Sequence, residues 1–234
     1  MFIGHYGIGF ALKKVEPRLS LGLLIFGAIL LDILFGLFLL TGIENANIVP
    51  GATVVSPFEF YDYPFSHSAV GAIIWATTGF LAYWLWPGRD RVQRKQPAFI
   101  LAIAIFSHFI LDVISHTPDM TIYVPNSPTL GFSLWNSLAG TMIVEPGLLF
   151  IGFALYRSAT FSVSSSGKYG LTLMVLILMV FFIGNIFGPP PPDMISVAVT
   201  MTIGQLALVA LAFWVDRNRI ANRHIHLHST IPLP

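Results

Sequence analysis

His108, Asp112 and His116 stand four residues apart in SHFILDVISH (107–116), directly after the apolar run PAFILAIAIF (97–106). Successive helical residues turn by about 100°, so these three share one stripe roughly 80° wide. Two imidazoles and a carboxylate are a nitrogen and oxygen donor set of the kind that holds zinc or a similar divalent ion. Without such an ion the stripe is costly, because an isolated carboxylate at the centre of a bilayer costs about 2.5–3.5 kcal/mol on insertion scales. The same reasoning singles out Asp32, Glu145 and His67, each inside or beside another apolar run, and His5 in MFIGHYGIGFAL (1–12). No Lys or Arg lies in these runs to pair with the acids, so protons and metal ions are the remaining partners. The expected ligand set is His5, Asp32, His67, His108, Asp112, His116 and Glu145. His67, His108 and Asp112 are expected on one ion, and Asp32, His116 and Glu145 on another. Three carboxylates and one hydroxide then balance two divalent cations. Asp32 or Glu145, where not ligated, is the candidate general base. Asp119, Asn136 and Ser68 are the candidates for orienting ligands or touching substrate. Plainer readings stand beside these: His5 as a structural histidine, and Glu145 as a protonated hydrogen-bond donor between helices.

The elements that must carry these residues are read from hydropathy. A span needs about 20 mostly apolar residues, and six segments qualify: 20–41, 65–86, 97–116, 135–156, 169–188 and 194–214. The expectation is an all-α polytopic membrane protein, six transmembrane helices preceded by a short, half-buried N-terminal helix. It forms one transmembrane domain over 1–234, with the metal-site core in 1–157 and two accessory helices and a polar tail in 158–234. All twelve Lys and Arg fall on one side of this arrangement, while Glu44, Glu59, Asp62, Asp119 and Asp193 fall on the other. By the positive-inside rule both termini are cytoplasmic. At 1.5 Å per residue from the nearest base, Asp32 lies roughly 21 Å deep, His108 roughly 20 Å and Glu145 roughly 18 Å. His67 and His116 come out at roughly 31–33 Å, at the outer interface. Groups from separate helices thus share one band of depth. Tyr83, Trp84, Trp86, Trp135, Tyr156, Tyr169 and Trp214 read as interfacial anchors. Asn185 and Gln205 are the few polar groups in the last two spans, which read as scaffold. His224, His226 and His228 read as solvated.

Composition narrows the class. Of 234 residues, 55% are hydrophobic and 10% charged, against about 25% charged in soluble domains. Mean hydropathy is +0.77 and the net charge +1, with no basic, aromatic-interleaved run, so no nucleic-acid partner is expected. The absence of cysteine excludes disulfides, thiolate zinc sites and cysteine nucleophiles. Residues 1–12 lack the basic region and cleavage site of a signal peptide.

GHYG (4–7), LLD (30–32), FSHS (65–68) and SHFILD-VISH-TPD (107–119) together resemble the YdjM-like family of membrane-bound metal-dependent hydrolases of the bacterial inner membrane. The resemblance covers roughly residues 1–157; GFSLWNS (131–137) followed by Glu145 looks like an extension of one branch. The ligand order is also similar to that of zinc-dependent phospholipase C and the related nucleases, which cleave phosphodiesters. Two departures from that second pattern are Thr141, where those enzymes carry another histidine, and Met1 in place of their N-terminal tryptophan. The resemblance implies a hydrolase with two zinc ions near the outer face, acting on a phosphoester of a membrane lipid or lipid-linked substrate. With no base on the outer side, phosphate charge must be met by metal. The alternative reading is a proton-coupled or metal-ion transporter using the same residues.

Overall fold

The computed structural model describes residues 1–87, 90–124 and 127–222; His224, His226 and His228 lie outside them. Helix α1 (Ile3–Val15) leads into α2 (Leu21–Ala28) and α3 (Leu30–Thr41), then a hairpin of β1 (Asn45–Ile48) and β2 (Phe58–Asp62). A single turn α4 (Pro64–His67), α5 (Ala69–Leu85) and the long α6 (Arg91–Ser115) follow. After β3 (Met120–Thr121), β4 (Thr129–Leu130) and a 3-10 turn (Leu134–Asn136) come α7 (Leu138–Ala159), β5 (Thr160–Ser162) and α8 (Ser165–Phe187). The last span is α9 (Met194–Val199), a π turn (Thr200–Gly204) and α10 (Gln205–Arg217), followed by β6 (Arg219–Ala221).

The protein is mostly helical, in line with the all-α expectation, with three short antiparallel strand pairs in the connections: β1 with β2, β3 with β4, and β5 with β6. Of the six expected spans, four or five have the length and apolar character to cross. Four helices, α6, α7, α8 and α9–α10, are long and apolar enough to cross a membrane, and the bent pair α2–α3 makes a fifth. The segment 65–86 is the one that falls short in length, for a local reason. Ser68 adopts extended backbone and its hydroxyl accepts from Gly71 N, an N-cap that divides the run into α4 and a 17-residue α5.

Helix α1 is central rather than half-buried. Ile3, His5, Tyr6 and Phe10 are fully enclosed. Small residues make this fit: a side chain on Gly7 would lie 2.4 Å from the Leu148 carbonyl oxygen, and one on Gly152 would lie 2.0 Å from that of Gly7. The backbones of α1 and α7 therefore meet directly. The last two spans share this core, with Leu178, Leu208 and Ala212 packed in one cluster with Ile3, Tyr6, Phe10 and Ile25. Leu24, Leu31, Phe35, Leu101 and Phe109 form a second cluster on the other side of α2 and α3. The polar site lies where these two cores approach each other.

Candidate metal centre

Three local features aim the site. The 56° bend between α2 and α3 falls at Ile29, and at this break the Ala28 carbonyl accepts from His108 Nδ1 at 2.7 Å. Asp32 then falls in the first turn of α3, where a helix N-terminus favours a carboxylate. In α6, His108 and Asp112 stand one turn apart on the buried face, with Asp112 Oδ2 3.0 Å from His108 Nε2.

Around them gather His5 and His67. His5 Nε2 lies 3.1 Å from Asp112 Oδ1, and its ring stacks on that of His108 with centroids 3.8 Å apart. His67 Nε2 lies 3.4 Å from Asp112 Oδ2, 3.6 Å from Asp32 Oδ1 and 3.3 Å from His108 Nε2. His108 Nε2 is 3.5 Å from Asp32 Oδ1. Two overlapping triads, His5–Asp32–His108 and His67–His108–Asp112, bring ligand atoms within 4.8 Å of one another. The second is the grouping expected for one ion; Asp32 joins the first rather than His116 and Glu145.

The hydrogen-bond network assigns the tautomers. Ser66 Oγ donates its one proton to Glu44 Oε2 at 2.5 Å, so it accepts from His67 Nδ1 at 2.7 Å. Both His67 and His108 therefore carry hydrogen on Nδ1 and turn Nε2 inward. Those two nitrogens face each other and two carboxylates. Burial pushes the Glu44 carboxyl up from its ordinary range, against the pull of the Ser66 hydroxyl and N–H. Since His108 has only Nε2 to give, the two triads are alternative choices around one position, not two complete sites.

His116 and Glu145 stand apart from this cluster, though both line the same cavity. Helix α6 ends at Ser115; His116 is its C-cap with extended backbone, so it leaves the stripe that four-residue spacing predicts. Pro118 follows two residues on and cannot continue a helix. His116 Nδ1 lies 3.2 Å from Asp119 Oδ1, which also accepts from Tyr63 at 2.7 Å, and the imidazole packs 4.4 Å from the Trp135 ring. Glu145 accepts from Phe2 N at 2.7 Å and from the Trp135 indole at 3.4 Å. Met1 N donates to Asp112 Oδ1. Asn136 is exposed on the 3-10 turn, and Ser68 serves as the cap of α5.

Five residues escape sequence reasoning. Glu44 and Ser66 fix His67, and only the adjacency of Ser66 in FSHS hints at it. Trp135 reads as an interfacial anchor but sits between His116 and Glu145. Gln205 reads as scaffold but donates to Asp32 Oδ2 at 3.1 Å. Tyr156, another expected anchor, is fully buried and donates to Asp216.

The donor set fits a divalent ion: two carboxylates and three imidazoles converge, and His5 Nδ1 is buried without a partner. The cluster opens on a cavity of about 780 Å³ lined, among the described residues, by no Lys or Arg. Compared with known proteins, the chain matches no family model, no curated protein and no solved structure.

Proposed function

We propose that this chain is a membrane-embedded, metal-dependent hydrolase of the YdjM-like kind, acting on a phosphoester. One observation carries the reading: His67 Nε2 and His108 Nε2 lie 3.3 Å apart and within 3.6 Å of two carboxylates. Ring nitrogens and carboxylates crowded this closely need shared positive charge, which a divalent ion supplies to all four at once. His67, His108, Asp32 and Asp112 hold the ion, with His5 beside them, and zinc suits the nitrogen and oxygen donors. A divalent ion there supplies Lewis acidity, which makes water a nucleophile at neutral pH and draws charge from the attacked phosphoryl oxygen. Glu145 is the general base, because it lines the cavity outside the cluster and is held by Phe2 N and Trp135. Asp119 holds His116 through its Nδ1, and Glu44 holds His67 through the Ser66 hydroxyl.

Transport by the same residues is the competing reading. It needs a path on both sides of the cluster, whereas Tyr6, Phe10 and Ile25 are fully packed beyond His5. By the positive-inside rule the base-rich end faces the cytoplasm of a bacterial inner membrane, and the cavity faces outward.

Elemental analysis of purified protein tests the reading. Wild type retains a divalent metal, His108→Ala and Asp112→Ala lose it, and Glu145→Gln keeps the metal while losing phosphoesterase activity. A wild type that binds no metal, or moves cations across liposomes, sinks it.

A further inference from the structure

The cavity has two unlike ends. Asp32, His67 and Asp112 form the polar end, while the far wall is α8 from Val180 to Gly188, the prolines 189–192 and the last span from Met194 to Leu208. Phe182, Ile186, Met201 and Leu208 make that wall apolar. Two helical glycines in it, like Gly147 of α7, face open space. A side chain on Gly184 would meet nothing within 4 Å, and one on Gly204 would meet only Thr200 Cγ2 at 3.9 Å. Gly22 and Gly36, by contrast, are filled by Phe213 and by Thr202 of the last span. A helical glycine costs about 0.8–1 kcal/mol relative to alanine. At Gly22 and Gly36 close packing offsets that, whereas at Gly184 and Gly204 the only return is open room in the cavity wall.

Where the polar and apolar ends join stands Gln205. Asp32 is an acceptor, so Gln205 must present Nε2 to it, and its Oε1 is left buried with no donor. A buried acceptor without a partner is unfavourable by about 1–3 kcal/mol, which a donor on a bound molecule removes.

We propose that the cavity takes a single amphiphile head-first. An anionic head sits at the His/Asp centre, an O–H or N–H beside it donates to Gln205, and a hydrocarbon chain lies between α8 and the last span. This rests on the metal-centre reading, because no Lys or Arg lines the cavity and the Met1 ammonium is already paired with Asp112, so a bound cation meets the charge of the head. Open clefts of roughly 300–1,000 Å³ suit such ligands, and this one falls within that range. The last two spans thereby form the chain-binding wall of the site.

The test uses full-length protein in detergent and a 1-acylglycerol 3-phosphate carrying a photoreactive diazirine midway along its chain. Mass spectrometry is expected to find label on residues 180–188 and 194–208, displaced by excess unlabelled lipid. Gly184→Leu and, on the other wall, Gly204→Leu lose that label while keeping their metal, which also reports that they fold. Chelation of wild type removes the label as well. Label confined to the outer faces of α5 and α6, or equal labelling in the two leucine variants, overturns the proposal. Label that persists after chelation overturns the head-first orientation, and a wild type that holds no metal overturns the metal centre itself.

Discussion

Helix α1 touches two buried polar clusters, and they solve the same problem in different ways. His5 enters the cluster around Asp112, and eight residues on, roughly 12 Å along the helix, Lys13 enters one around Asp216. Asp216 accepts from Lys13 Nζ at 2.8 Å, from the Tyr156 hydroxyl at 2.8 Å and from Leu21 N at 3.0 Å. Lys13 spends a further proton on the Leu19 carbonyl at 2.8 Å. Donors and acceptors match there, and opposite charges meet within the chain. The Asp32–Asp112 cluster has neither Lys nor Arg; the Met1 ammonium meets Asp112, and Asp32 is left with the imidazoles and Gln205. The first cluster ties α1, α2, α7 and α10 together and is complete. The second holds two carboxylates and three imidazoles against that one ammonium, which leaves room for a cation from outside. What marks the candidate site here is this imbalance, more than burial.

Breaking each cluster should therefore give opposite results, the largest in the closed one. Lys13→Met strands the Asp216 carboxylate in a buried site and is expected to destabilise the protein by about 3–5 kcal/mol. Unfolding in detergent measures this, and Lys13→Met with Asp216→Asn should recover most of the loss. Asp32→Asn in metal-free protein removes a charge that no Lys or Arg meets, so its stability should be unchanged or higher. Equal damage from both substitutions would erase the distinction between the clusters.

Metal removal sharpens the same contrast with a somewhat smaller effect. At a metal concentration of 100 to 1,000 times its dissociation constant, binding adds about 2.7–4.1 kcal/mol to the native state. Chelation should remove that amount from wild type and from Lys13→Met alike, and nothing from His108→Ala. A chelator that leaves the wild-type melting temperature unmoved would show that the open cluster is not closed by metal.

The parts of this site that were legible in the sequence are those that violate their surroundings. His108, Asp112 and Asp32 are conspicuous because they interrupt apolar runs, and the spacing of His108 and Asp112 implies a shared helical face. Glu44 and Ser66 sit at the ends of elements where polar residues are ordinary, so no pattern separates them from solvated loop. Trp135 and Tyr156 are amphipathic aromatics near helix ends, and the same chemistry serves a membrane interface or a buried hydrogen bond. The break at Ser68 was not legible, because hydropathy runs on through a cap that only backbone geometry reveals. The burial of α1 was masked by its length. Gly4, Gly7 and Gly9 carried the signal, since small residues on one helix are what allow another backbone to approach closely.

The smallest expected effect lies at the margin between the two solutions, in Glu44. Its carboxyl is buried and holds His67 only through Ser66, and it too has no Lys or Arg bonded to it among the described residues. Burial raises its pKa in the folded state above the ordinary value of 4.5. A carboxyl shifted upward stabilises the fold most below its unfolded value, and that contribution is lost as pH rises through the folded one. Glu44→Gln has no proton to lose, so wild type should weaken relative to it as pH increases from about 4.5. Melting curves of metal-free protein across that range read the difference directly, free of any competition between protons and metal for His67. A constant gap between the two proteins would mean that Glu44 is compensated as fully as Asp216, and the boundary drawn between open and closed clusters would have to move.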